Sequence, residues 1–223
     1  MPVNDENYSK YSDFVPEFFD HIQNTTDKFL ENYNIHQAFT YLIAELFETT
    51  DEDKFNYTDG SKDGGIDFFT QDTQTFVIYQ CKCPEDENIV NNHRPIIFDK
   101  KPVQEMITAI ETLLDEQGYY DLKPSVSRLR SDFQRELKSN EEEVVLNANI
   151  AVFGDLSPSA LDLYKNQKAK YQESGIQLNL ITWETVYQKF HELDTPEDNN
   201  MKLTLRFNDP KKELMRHLDY CYM

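Results

Sequence analysis

Between Ile35 and Phe47 the apolar residues Ile35, Ala38, Phe39, Leu42, Ile43, Leu46 and Phe47 recur at i, i+3, i+4 and i+7, which predicts a helix with one face turned to a core. A looser rhythm over Phe14–Leu30 predicts a helix before it. The period then shortens to two. Ile66–Phe69 and Thr75–Cys83, rich in β-branched and aromatic residues and separated by the turn-like QDTQ, read as neighbouring strands, the second stopped by Pro84 and an acidic run. After a loop around Asn88–Lys101, helices are predicted from Pro102 through Leu114 and over Ser125–Lys138. Strand and helix then alternate: Val144–Phe153, Ser157–Glu173 with Ser157 as N-cap and Pro158 after it, Ile176–Ile181, Thr182–Phe190 and Lys202–Phe207. This alternation predicts an α/β fold, a mixed central β-sheet flanked by helices. We expect one domain over residues 1–223, with a core at about 35–115 and a further α/β part at about 120–207. The acidic stretch Glu192–Asn200 is the candidate hinge, and disorder is expected in the first dozen residues and in short acidic links.

Charge complicates that picture. With 22 Lys+Arg against 41 Asp+Glu the chain carries −19 at neutral pH, a global field that repels nucleic acid, so any nucleic-acid chemistry must be local. The three cysteines, Cys81, Cys83 and Cys221, are an odd set with no secretory segment before them, which predicts a reduced, cytoplasmic setting. No apolar run approaches the ~20 residues that span a bilayer, so no membrane partner is expected.

Three of the six glycines, Gly60, Gly64 and Gly65, fall immediately before Ile66-Asp67. Such a turn allows positive φ and close backbone approach, and it delivers Asp67 at or near the start of a strand; an ordinary hairpin turn is the plainer alternative. Along Val77–Cys83 the period of two places Val77, Tyr79, Cys81 and Cys83 on one face and Ile78, Gln80 and Lys82 on the other. Glutamine and lysine side by side at the end of an apolar strand are poor core residues. With Asp67 on the neighbouring strand, a carboxylate, an amide oxygen and an ammonium converge, which is the donor set of metal-assisted phosphodiester cleavage. Glu45 lies on or beside the apolar stripe of its helix and is a candidate third acid, with Glu48 as its substitute and a solvated flank glutamate as the alternative.

The order Glu45, Gly64-Gly65-Ile66-Asp67 and Gln80-Cys81-Lys82 resembles the PD-(D/E)XK nuclease core, in the variant with glutamine in place of the second acid found in Mrr-like restriction endonucleases. DGGIDFF followed by VIYQCK also looks like the N-terminal nuclease-like region of AIPR (abortive infection phage resistance) proteins. The resemblance spans about residues 35–190 and is motif-grade only over 60–83. It implies a restriction-endonuclease-like core, Mg²⁺ or Mn²⁺ as cofactor, and a catalytic set of Asp67, Gln80, Lys82 and Glu45. The metal would be held by Asp67, Gln80, the Cys81 backbone carbonyl and Glu45. Phe68 stands where that family usually has glycine, and Cys83 where it often has tyrosine.

Other signals are weaker. Cys81 and Cys83 lack a second ligand pair and read as free thiols rather than a metal clip. The five histidines show no ligand spacing, and His93 reads as a surface-loop residue. The basic stretch Lys123–Lys138, with Arg128 and Arg135 on one helix face and Lys138 beyond, is either a nucleic-acid-binding surface or a solvated helix face. Two functions stand side by side. One is a metal-dependent endonuclease acting on DNA in phage defence or DNA processing. The other is a catalytically inactive nuclease-fold regulatory protein whose acidic surface binds a protein partner. Nucleic acid is thus the expected partner, with room for a protein partner, a further C-terminal region or a second copy of the chain as a homodimer.

Overall fold

The computed structural model describes residues 5–29, 34–48, 55–84, 94–139 and 144–194. By contacts the chain divides into two units, Met1–Phe190 and His191–Met223, and the fold described here is that of the first.

Strand β3 (Thr75–Lys82) organises the molecule, because its side chains alternate between two faces and each face meets its own core. It pairs antiparallel with β2 (Phe68–Gln71), which pairs antiparallel with β1 (Phe55–Tyr57). On its other side β3 pairs parallel with β5 (Val145–Val152), and β5 pairs parallel with β7 (Ile176–Ile181). The resulting mixed sheet of five strands has the order β1-β2-β3-β5-β7. This is the α/β class expected from the sequence.

Six helices flank the sheet among the described residues. On one face α1 (Asp5–Phe29), α2 (Ile35–Phe47) and α6 (Trp183–Asp194) build an aromatic core from Tyr11, Phe14, Phe18, Phe39, Phe153 and Trp183. Phe18 stacks on Phe153 at 4.0 Å between ring centroids, and Tyr11 meets Trp183 edge-on at 5.1 Å. On the other face α3 (Lys101–Leu114), α4 (Pro124–Ser139) and α5 (Pro158–Gln172) cover Ile66, Phe76, Ile78, Leu146, Ile150 and Leu178. The expected cap forms as read: Ser157 Oγ accepts from the Ala160 N–H at 3.2 Å and Pro158 occupies the first turn.

Several boundaries differ from expectation. Helix α1 begins at Asp5 instead of near Phe14, and Tyr11, assigned to a disordered leader, is fully buried against Trp183. Strand β2 starts at Phe68 because the glycine turn holds Ile66 and Asp67 short of the regular ladder. The expected single strand Val144–Phe153 ends at Val152, and Gly154–Leu156 forms β6, which pairs parallel with β4 (Ile96–Phe98) in a separate ribbon. Elements of three residues, such as β1, β4 and β6, show no periodicity and exist only through their partners. The expected strand Lys202–Phe207, most of the Glu192–Asn200 hinge, His93 and Cys221 lie outside the described residues. Among the described residues no helix is long and apolar enough to cross a membrane.

Candidate metal centre

The turn between β1 and β2 is built by left-handed backbone at Gly60, Lys62, Gly64 and Gly65. Gly65 has φ +84°, and a Cβ there would lie 2.8 Å from the Glu105 carbonyl oxygen, so α3 packs directly on the turn. Gly64 also has positive φ and lies under Leu122. Asp63 ties the loop by accepting from the Gly65 N–H at 2.8 Å and the Gly60 N–H at 3.1 Å. From outside, Lys123 Nζ donates to the carbonyls of Thr58 at 2.7 Å and Asp59 at 2.6 Å. The buried Thr58 hydroxyl donates to the Ile66 carbonyl.

This clamp fixes Asp67. Its backbone N–H donates to the Tyr79 carbonyl at 2.8 Å, and its carbonyl accepts from Thr58 and Asp59. The side chain, 2 % exposed, turns Oδ2 to the Gln80 side-chain amide at 2.8 Å and to the Cys81 N–H at 2.6 Å. Burial, more than any other cause, pushes the Asp67 carboxyl up to about 7; Asp59 and Asp63 push the same way, while the Cys81 N–H and Lys82 oppose them. A buried carboxylate poised near neutrality is unusual and typical of functional sites.

As expected, Gln80 and Lys82 point to the same side of β3. They share with Asp67 a cleft of about 320 Å³ whose walls also include Asp59, the glycine turn, Lys101, Gln104 and Glu105. Gln80 is 1 % exposed and its Oε1 has no hydrogen-bond partner among the described residues. Lys82 Nζ stands 3.1 Å from Glu105 Oε2.

Two residues that the sequence reading passed over belong to this centre. His36, in the first turn of α2, places Nε2 at 3.8 Å from both Asp59 Oδ1 and Asp67 Oδ2. Asp59 is held by Tyr57, whose hydroxyl donates to Oδ2 at 2.9 Å and leaves Oδ1 on the His36 side. One ligand atom from each of His36, Asp59 and Asp67 lies within 4.8 Å of the others. Burial lowers the His36 pKa below its ordinary value, which favours the neutral imidazole. Asp59 opens DGSKDGG, and His36 follows the first apolar position of α2; nothing in their separation along the chain announces that they meet.

Not every expected site residue is brought here. Glu45 faces the other way and pairs with His21 Nε2 at 3.1 Å, with 42 % of its side chain exposed. Its substitute Glu48 accepts from the Tyr79 hydroxyl at 2.6 Å and from Thr70 at 3.1 Å, on the Tyr79 side of β3. The helix acid is therefore absent from the cleft, because the α2 stripe that packs on the sheet carries the glutamates past Tyr79, and only the first turn of the helix reaches Asp67. Cys81 contributes its N–H to Asp67, its thiol being buried and held well above its ordinary pKa. Cys81 and Cys83 form no disulfide among the described residues.

Beyond Lys123, which braces the Asp59 backbone from behind, the basic stretch does not line the cleft. Arg135 pairs with Asp132 at 2.8 Å and Lys138 with Glu116 at 3.0 Å, and neither these nor Arg128 lines the cleft. Lys123 and Arg130 hold backbone carbonyls. The local basicity of the cleft comes instead from Lys82 and Lys101.

The donor chemistry suits a divalent cation: two carboxylates, an imidazole and an amide oxygen lacking a donor. No known protein family, curated protein or solved structure matches the chain.

Proposed function

We propose that the cleft is the active centre of a divalent-metal-dependent phosphodiesterase acting on nucleic acid, DNA in the first instance, with Mg²⁺ or Mn²⁺ as cofactor. The observation that carries the reading is that Asp67, Gln80 and Lys82 share one cleft, with Asp67 buried against Gln80. When bound, the cation supplies a Lewis acid that polarises phosphate oxygen and water. Asp67 and Gln80 would hold it, and the buried Gln80 Oε1, without a partner among the described residues, is the atom that fits such a group. Lys82 supplies a positive charge beside the phosphate and a donor for the attacking water once Glu105 yields it. Lys101, more exposed at the rim, attracts the substrate backbone. The resemblance to Mrr-like and AIPR proteins adds a setting in phage defence or DNA processing, and cysteines outside any disulfide among the described residues suit a cytoplasmic one. With −19 overall, affinity for DNA should be weak and dependent on the cation.

The test is nicking of supercoiled plasmid by cation-stripped protein supplied with Mg²⁺ or Mn²⁺, with circular dichroism to verify folding of each variant. Lys82→Ala and Asp67→Ala should each lower the rate by roughly a hundredfold or more. Equal cutting by wild type and both variants overturns the assignment. A second reading, a catalytically inactive nuclease-fold protein that binds a protein partner, draws on the Lys82–Glu105 pair and on the absence of Glu45 from the cleft. Wild-type protein that leaves plasmid intact with either ion favours it.

A further inference from the structure

The donor set around Asp59 and Asp67, two acids of the cleft wall, is not all oxygen. His36 Nε2 stands 3.8 Å from a carboxylate oxygen of Asp59 and 3.8 Å from one of Asp67, with all three ligand atoms inside 4.8 Å. Ligands at about 2.1 Å from a common ion lie roughly 3–4 Å apart, so small side-chain rotations would close the set on one ion. Each element is held from behind. Asp59 is fixed by Tyr57 and by Lys123 on its carbonyl, Asp67 by Cys81 and Gln80, and His36 by the start of α2, where Asn34 accepts from the Gln37 N–H at 2.9 Å. An acidic pair near a histidine could be a mere polar network, but a network satisfies its members. Gln80, 1 % exposed and bonded to Asp67 through its amide nitrogen, leaves Oε1 without any donor. Its carbonyl oxygen is thus a second, independent mark of room for a donor or a cation.

We infer that His36, Asp59 and Asp67, with Gln80 lining the same cleft as the two acids, form a site selective for a borderline transition cation such as Mn²⁺ or Co²⁺ over Mg²⁺ and Ca²⁺. Mg²⁺ demands oxygen ligands and gives up its waters reluctantly, whereas imidazole nitrogen binds first-row transition ions well. The inference deepens the function proposed above and rests on the same cleft, but it replaces the helix carboxylate of the resemblance with a histidine, and so changes which ion the cleft holds.

The experiment is calorimetric titration of cation-stripped full-length protein with MnCl₂, CoCl₂, MgCl₂ and CaCl₂, joined to pulsed electron paramagnetic resonance of the Mn²⁺ complex. We expect Mn²⁺ to bind at least tenfold tighter than Mg²⁺ and to show nitrogen coupling from one imidazole. His36→Ala should weaken Mn²⁺ at least tenfold, change Mg²⁺ by less than about threefold and abolish the nitrogen coupling. His36→Gln, which exchanges nitrogen for oxygen, serves if the alanine variant fails to fold and should shrink the Mn²⁺/Mg²⁺ ratio. Equal affinity for the two ions, no binding of either, or a Mn²⁺ spectrum without nitrogen coupling overturns the inference. Plasmid cutting with limiting Mn²⁺ that is the same in wild type and His36→Gln also overturns it while leaving the phosphodiesterase reading intact. Selective Mn²⁺ binding without any cutting does the reverse.

Discussion

Replacing Asp67 by asparagine should stabilise the protein, and by an amount that depends on pH. The carboxyl is buried and pushed from 3.8 up to about 7, so the folded state holds a proton that the unfolded state has released over that interval. A raised acid pKa contributes stability that is complete below the unfolded value and lost as pH rises through the folded one. Wild type should therefore weaken progressively from about pH 4 to pH 7. A shift of roughly three units corresponds to about 4 kcal/mol at pH 8.5, of which ~2 kcal/mol is already lost at pH 5. Asparagine has the same shape, and its carbonyl can accept from both Gln80 and the Cys81 N–H, but it has no charge to bury. His36, with a lowered pKa, contributes a slope of opposite sign on the acid side; since it is present in both proteins, it largely drops out of their difference.

Urea melts of wild type and Asp67→Asn at pH 5, 7 and 8.5 measure that difference directly. The variant's advantage should grow by about 2–3 kcal/mol between pH 5 and pH 8.5. Adding Mn²⁺ at pH 8.5 should raise wild type and leave the variant nearly unchanged, because the cation replaces the solvation that burial removed. A variant less stable than wild type at pH 8.5, or a difference that is flat across pH, refutes the reasoning that Asp67 is held against its electrostatic preference.

Other expectations follow from particular contacts. Phe153→Ala, which empties the ring stacked on Phe18, should cost about 3–5 kcal/mol in a urea melt measured without cation. Gly65→Ala forces a Cβ toward the Glu105 carbonyl at positive φ, and should lower Tm and weaken Mn²⁺ binding together, as a thermal melt and a titration of the same sample would reveal. Glu45→Ala removes only the half-exposed pair with His21, so stability should change by about 0.5 kcal/mol or less and Mn²⁺ affinity should not move in calorimetry; a large loss of affinity would return Glu45 to the metal site.

The local order of the chain was legible in the sequence wherever a period ran long enough. The stripe from Ile35 to Phe47, the alternation through Thr75–Lys82 and the Ser157-Pro158 start of α5 each specify their element from spacing and capping alone. That same alternation put Gln80 and Lys82 on one side of β3, and the crowding of glycines before Asp67 marked the turn. These are properties of neighbours along the chain, and periodicity transmits them faithfully. Only the tertiary structure decided which acids and bases complete the cleft. Glu45 sits at the right distance along the sequence but on a flank of α2 that turns to His21, while His36, about two and a half turns of helix earlier, reaches Asp67. A helix rotates each residue by about 100°, so whether its first turn or its last meets a given strand depends on crossing angle and packing, which no spacing encodes. Asp59 likewise is placed by contacts that its position along the chain does not announce, Lys123 on its carbonyl and Tyr57 on its carboxylate. Sequence determined the strand, the turn and the residues fit for chemistry; packing determined which of them face one another.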